Sequence, residues 1–109
     1  AAETGVVTLG AVYSVLHVHT DRPARVRLYG TAAQRDADLS RAASSAPTGN
    51  HGVMLDLVTE SGTLDGWLYP LVDGFSLDDP LVDQIPITVT NLDATDGAVV
   101  CTIDYIAIV

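Results

Sequence analysis

Ala24-Arg25-Val26-Arg27-Leu28-Tyr29-Gly30 alternates apolar and polar residues without a break. Val26 and Leu28 fall on one side and Arg25, Arg27 and Tyr29 on the other, the period of a strand with one face toward a core. Upstream, Asp21-Arg22-Pro23 reads as a polar turn. Before it, Ala11 to Thr20 is extended, with Val12, Leu16 and Val18 on one face and Tyr13, Val15, His17 and His19 on the other. The two runs and their turn predict a hairpin, which would bring His17 and His19 close to Arg27 and Arg25. Further upstream, Val6-Val7-Thr8-Leu9 is a short β-prone run closed by Gly10.

Downstream of Gly30 the period changes. Thr31-Ala32-Ala33-Gln34 has the form of a capping box, with Thr at the N-cap and Gln three residues on. It opens the one helical candidate, Thr31 to Arg41, whose scarcity of apolar residues predicts a short helix on the surface. Ala42 to Gly52 is small, polar and glycine-bearing, and predicts a long exposed loop. Strands resume at Val53 to Val58 and at Leu64 to Tyr69, which Pro70 is expected to end. Gly74 to Leu77 follows as a short piece, then Ile85 to Thr90, and Ala98 to Val109 with Val99, Cys101, Ile103 and Tyr105 on one face. Short strands with regular turn signals predict a single all-β domain over residues 1–109. The expected architecture is a two-sheet antiparallel β-sandwich, jelly-roll or Greek-key like, with a closed barrel as the alternative.

The chain has 109 residues, 48% of them apolar, enough for one hydrophobic core. It carries 14 acidic residues against five Arg and no Lys, a net charge of −9. That excludes nucleic acid and anionic membrane as expected partners, since both reward clustered cations. No apolar stretch approaches the roughly 20 residues of a transmembrane helix. Ala1 to Gly5 has neither the basic nor the apolar region of a signal peptide. A single cysteine, Cys101, permits no intrachain disulfide and reads as a small buried hydrophobe.

The charge is also uneven along the chain. Residues through His51 sum to +1, with all five Arg against Glu3, Asp21, Asp36 and Asp38, whereas residues from Gly52 onward carry ten acids and no base. One reading is solubility alone. The other is a dipolar molecule whose arginine side meets a partner. On that reading Arg22, Arg25, Arg27, His17 and His19 are the expected contact residues, and head-to-tail docking favours a homo-oligomer, a trimer above others.

Signals for chemistry are weak. His17 and His19 share a strand face at i, i+2, as in the metal-binding strand of cupins. The Glu that such a motif needs is missing, however, and Arg22 and Arg25 follow. Asp73, Asp78, Asp79 and Asp83, or Asp93 and Asp96, invite a calcium reading but match no EF-hand loop. Turn-forming aspartates account for them. No nucleophile elbow and no phosphate-cradling glycine loop is present. The sequence therefore predicts no enzyme, no cofactor and no metal. Trp67 and Tyr69, again i and i+2, could form a sugar-stacking platform. The favoured placement of Trp67 is as a plug in the inter-sheet core.

The run from Tyr13 to Tyr29, containing Thr20-Asp21-Arg22-Pro23-Ala24-Arg25-Val26-Arg27-Leu28-Tyr29, and the Arg35-Asp36-Ala37-Asp38 segment resemble small virion proteins of tailed bacteriophages and prophages. Asn50-His51-Gly52-Val53-Met54-Leu55-Asp56 and Pro86-Ile87-Thr88-Val89-Thr90-Asn91 extend the resemblance over nearly the whole domain. It implies a virion location and a non-enzymatic structural role. That role would be a capsid decoration (cement) protein contacting the major capsid protein, or a tail-associated one. A carbohydrate-binding module or tail adhesion protein is the competing expectation.

Overall fold

The computed structural model describes residues 2–39, 41, 51–78, 80–93, 95 and 97–108, with backbone alone at 2, 69 and 70. Among the described residues seven strands are formed: β1 (Ala2–Thr8), β2 (Val12–Thr20), β3 (Ala24–Tyr29), β4 (Val53–Val58), β5 (Asp65–Phe75), β6 (Gln84–Asn91) and β7 (Cys101–Ala107). One helix, α1 (Ala32–Asp38), lies between β3 and β4. The strands make two antiparallel sheets, one in the order β1-β6-β3-β4 and the other β5-β2-β7. The expected two-sheet β-sandwich with one short helix is therefore what the chain adopts. The loop expected at Ala42 to Gly52 lies mostly outside the described residues.

Every connection except β3 to β4 passes from one sheet to the other. The expected hairpin between β2 and β3 does not form for this reason. Each is a central strand, and both of its edges are already paired, β2 with β5 and β7, β3 with β6 and β4. The Asp21–Pro23 link is an arch between sheets, pinned at Thr59. Its hydroxyl meets that of Thr20 at 2.7 Å and accepts from the Ala24 amide at 2.9 Å. His17 and His19 consequently lie on a different sheet from Arg25 and Arg27.

The core is filled by Leu9, Tyr13, Val15, Val18, Val26, Leu28, Leu55, Ile85 and Ile87. In β2 the register slips between Val15 and His17 on both flanks, leaving Leu16 as the extra residue of a bulge. The bulge shifts the phase, so Tyr13, Val15 and Val18 all point inward while Ser14, His17 and His19 point out. Strict alternation predicted otherwise. Pro70 does not end its strand either. β5 runs on to Phe75 because it is an edge strand whose pairing with β2 jumps from Trp67 to Val72, and there a missing amide costs no ladder bond. Tyr13 comes close enough to Gly74 that a Cβ there would lie 2.3 Å from its ring. The Tyr13 hydroxyl has no hydrogen-bond partner among the described residues, and burial pushes its pKa up to about 12.

Helix α1 starts where the capping box predicts, with Thr31 Oγ1 accepting from the Gln34 amide at 3.1 Å. It is held on the outer face of the four-stranded sheet by charge rather than by apolar packing. Asp38, at its last turn, accepts from Tyr29 at 2.5 Å and from both ends of the Arg41 guanidinium at 2.7 and 3.1 Å, with Arg27 at 3.5 Å. Asp56 of β4 receives Arg25 at 2.8 and 2.6 Å and Arg41 at 3.5 Å. The Arg41 bond holds the Asp38 carboxyl below its ordinary pKa, against the opposing effect of burial.

Removing one partner of a buried ionic network leaves the others unpaired, at a cost of about 3–5 kcal/mol. Asp38→Ala is therefore expected to lower unfolding stability by about that amount in urea titration. A loss comparable with an ordinary surface substitution would show that α1 is held in some other way. Tyr13→Phe removes an unsatisfied buried hydroxyl and is expected to be neutral or stabilising by ~1 kcal/mol.

Candidate functional site

All five arginine side chains are at most 26% exposed, and each has a carboxylate within 4 Å. Arg25 and Arg27 are 9% and 8% exposed and belong to the network under α1. They cannot form the contact patch expected of them. The alternation that aimed them away from the core was read correctly, but a helix covers that face. Arg22, the third expected contact, sits beside Asp21 and donates to the Thr95 carbonyl at 3.3 Å. Arg35 donates to the Gly5 carbonyl at 2.8 Å and so ties the helix to β1. With its cations folded inward, the domain presents an acidic exterior, and the charge split along the chain does not become a surface dipole.

The two expected histidines are brought together with residues that the sequence did not connect to them. On the outer face of the three-stranded sheet, His17 stands opposite Trp67 of β5 and Asp104 of β7, and His19 opposite Asp65. His17 Nδ1 lies 2.9 Å from Asp104 Oδ2, and its Nε2 lies 2.8 Å from Asp65 Oδ1. His19 Nδ1 shares that same Asp65 oxygen at 2.8 Å. Ionised carboxylates only accept, so the imidazolium, with hydrogen on both nitrogens, is the form of His17 that satisfies both contacts. The bond to Asp104 is the largest cause raising its pKa; burial opposes it, and Asp65 adds to the rise. Asp65 is held below its ordinary value by the two histidines, His19 first.

Trp67 does not plug the core. It is 75% exposed and lies flat on His17, with ring centroids 4.0 Å apart and planes inclined by 22°. One face of the indole covers the buried imidazolium and the other faces solvent. A cation under the ring favours this stack. Tyr69, the other half of the expected platform, has its side chain outside the described residues. Among the described residues no group of three or more His, Cys, Asp or Glu is arranged to hold a metal ion. In the last turn cluster Asp93 donates its amide to Asn91 Oδ1 at 2.8 Å, an ordinary turn bond, while Asp79 and Asp96 lie outside the described residues.

A second feature arises from the unequal sheets. β4 packs across to β5, with Leu57 against Gly66, which aligns that side of the sandwich. Counting across, β1 is left with no strand beneath it. The inward face of β1 is thus uncovered, with β6 and β7 bounding the gap. Two cavities that meet at Ile87 occupy this groove. One of about 360 Å³ is bounded by Glu3, Gly5, Val89, Asp93 and Val99, and one of about 240 Å³ by Val7, Leu9, Cys101, Ile103 and Tyr105. β7 is an edge strand and, among the described residues, has no neighbour on this side.

Sign follows from the raised His17 pKa. Its contribution to stability is complete below the ordinary histidine range and is lost as pH rises through the folded-state value. An NMR titration of His17 is expected to give a midpoint above that of an unperturbed histidine, and Asp104→Asn should bring it down. A midpoint at or below the ordinary value would refute the imidazolium clamp. No family model, no curated protein and no solved structure matches the chain.

Proposed function

We propose that the domain is a non-enzymatic structural subunit of a tailed-phage virion, a decoration protein that bridges neighbouring shell subunits from outside. The uncovered groove between β1 and β7 is the observation that carries this reading. It combines an apolar floor with a free strand edge, and a free edge offers backbone donors and acceptors that only another extended chain can satisfy in register. Its occupant is an extended arm of a shell subunit, with an apolar residue at every second position to meet Gly5, Val7, Ile87 and Val89. Glu3 and Asp93 stand at one end of the groove, where the part-exposed Arg22 guanidinium lies against Gly97.

The resemblance to phage virion proteins supports the same reading. So does the number of large apolar side chains left at the surface, Val6, Leu81, Val100, Ile106 and Ile108 each being at least half exposed. Trimerisation at a local threefold position belongs to this proposal, with the sandwich edges rather than the arginines making the contact. Many identical weak contacts on one shell then act together.

Co-sedimentation with separated heads and tails of the parent phage tests it. Saturable binding to heads is expected. Tyr105→Glu, placing a charge on the groove wall, should weaken it by at least about tenfold, with the thermal midpoint of the free domain shifted by only a few degrees. Binding to tails alone would replace decoration by a tail role, and binding to neither would refute the proposal. Arg25→Glu combined with Arg27→Glu should instead lower the thermal midpoint sharply, because both lie in the network under α1.

A further inference from the structure

We infer that the outer face of the β5-β2-β7 sheet binds a neutral sugar, with a pyranose ring stacked on the solvent face of Trp67 and its hydroxyls held by Asp65, Asp104 and His19. This goes beyond the shell-binding groove and does not depend on it. The groove lies at the β1–β7 side and faces inward, whereas Trp67 stands on the opposite surface of the sheet.

Three observations carry the assignment. The first is that Trp67 is exposed and yet fixed. A large apolar ring left 75% in water is ordinarily mobile, but this one rests on His17, and His17 is clamped at both nitrogens. The indole is thus already oriented before any ligand arrives, which removes an ordering cost from binding.

The second is the set of unused polar atoms around the ring. Asp65 and Asp104 each give one oxygen to His17, and the other oxygen of each has no partner among the described residues. His19 spends Nδ1 on Asp65 and leaves Nε2 open. Asp65 and Asp104 come from the strands on either side of β2, so they bracket His17 beneath the indole. Carboxylate oxygens accepting from hydroxyls make short, charge-assisted bonds. An aromatic platform with a few converging acceptors suits a ligand with apolar C–H faces and a rim of hydroxyl donors.

The third is charge. The imidazolium beneath Trp67 already draws on the ring's π-density, which disfavours a second cation on the outer face. The two carboxylates and the acidic exterior disfavour an anionic ligand. A neutral polyhydroxyl compound is what remains.

Trp67 is the only tryptophan, so its emission reports on this site alone. Labelled protein would be screened on an array of neutral, sialylated and sulfated glycans, and each hit titrated while Trp67 emission and acrylamide quenching are followed. Binding of one or more neutral glycans is expected, with a shift in emission and protection from acrylamide. Trp67→Ala should weaken binding at least about tenfold, and Asp65→Asn or Asp104→Asn severalfold, while all three variants keep a cooperative thermal transition. Retention of acidic glycans alone would overturn the assignment, as would binding unchanged by Trp67→Ala or no glycan retained at all. Phage heads are a separate probe. If heads rather than glycans protected Trp67 from acrylamide, this face would be a shell contact and the sugar site would be wrong, whereas loss of head binding with glycan binding intact would fail only the decoration role.

Discussion

Asp38 is the joint on which the charged half of this domain turns. It sits at the end of a seven-residue helix too short and too polar to dock by apolar burial. Through it, Tyr29, Arg27 and Arg41 are gathered over the four-stranded sheet, and Asp56 extends the set to Arg25. Such networks are not a cheap source of stability, because withdrawing charges from water opposes their attraction. Their value is geometric. A guanidinium fork fixes direction as well as distance, so helix, sheet and Arg41 can meet in only one arrangement. The same network takes cations off the surface. A chain of net charge −9 thereby presents an exterior still more one-sided than its composition implies.

The legible part of the fold was the periodic part. Val26 and Leu28 against Arg25, Arg27 and Tyr29, and Ile85, Ile87 and Val89 against their polar neighbours, specify strands because a two-residue period admits no other use of one buried face. Thr31 and Gln34 marked the helix start because capping is local chemistry. What failed was non-local. Nothing in Asp21-Arg22-Pro23 distinguishes a hairpin turn from an arch between sheets; that depends on whether β2 already has two neighbours, and those neighbours come from residues 65–75 and 101–107. Trp67 was misplaced for a related reason. A large ring belongs in a core only if the core has room, and here Tyr13 already fills the inter-sheet space.

Leu16 shows how one residue divides labour between two faces. Without its bulge, Tyr13, Val15, His17 and His19 would share a side, and the core would have to accept two imidazoles or lose two of its apolar residues. With it, Tyr13, Val15 and Val18 close the core, while Ser14, His17 and His19 line the outer surface. The partners of His17 then follow from register alone. Asp104 and Trp67 stand directly across from it on the two flanking strands, a relation invisible in a chain where Asp104 is 87 residues away.

The two candidate surfaces follow from the same three-stranded sheet, and they make different demands. The groove needs an edge, so it needs β7 unpaired and β1 overhanging; its ligand must be a chain that can supply backbone hydrogen bonds along the whole length. The Trp67 face needs the opposite, a sheet interior in which β2 is held from both sides, because only a strand with two neighbours can place a histidine between two carboxylates on different strands. A fourth strand beside β7 would fill the groove and leave the Trp67 clamp untouched, since β2 would keep both partners. Occupation of the groove and occupation of the Trp67 face are therefore compatible on one molecule, and a subunit seated through its edge would still turn its flat face outward.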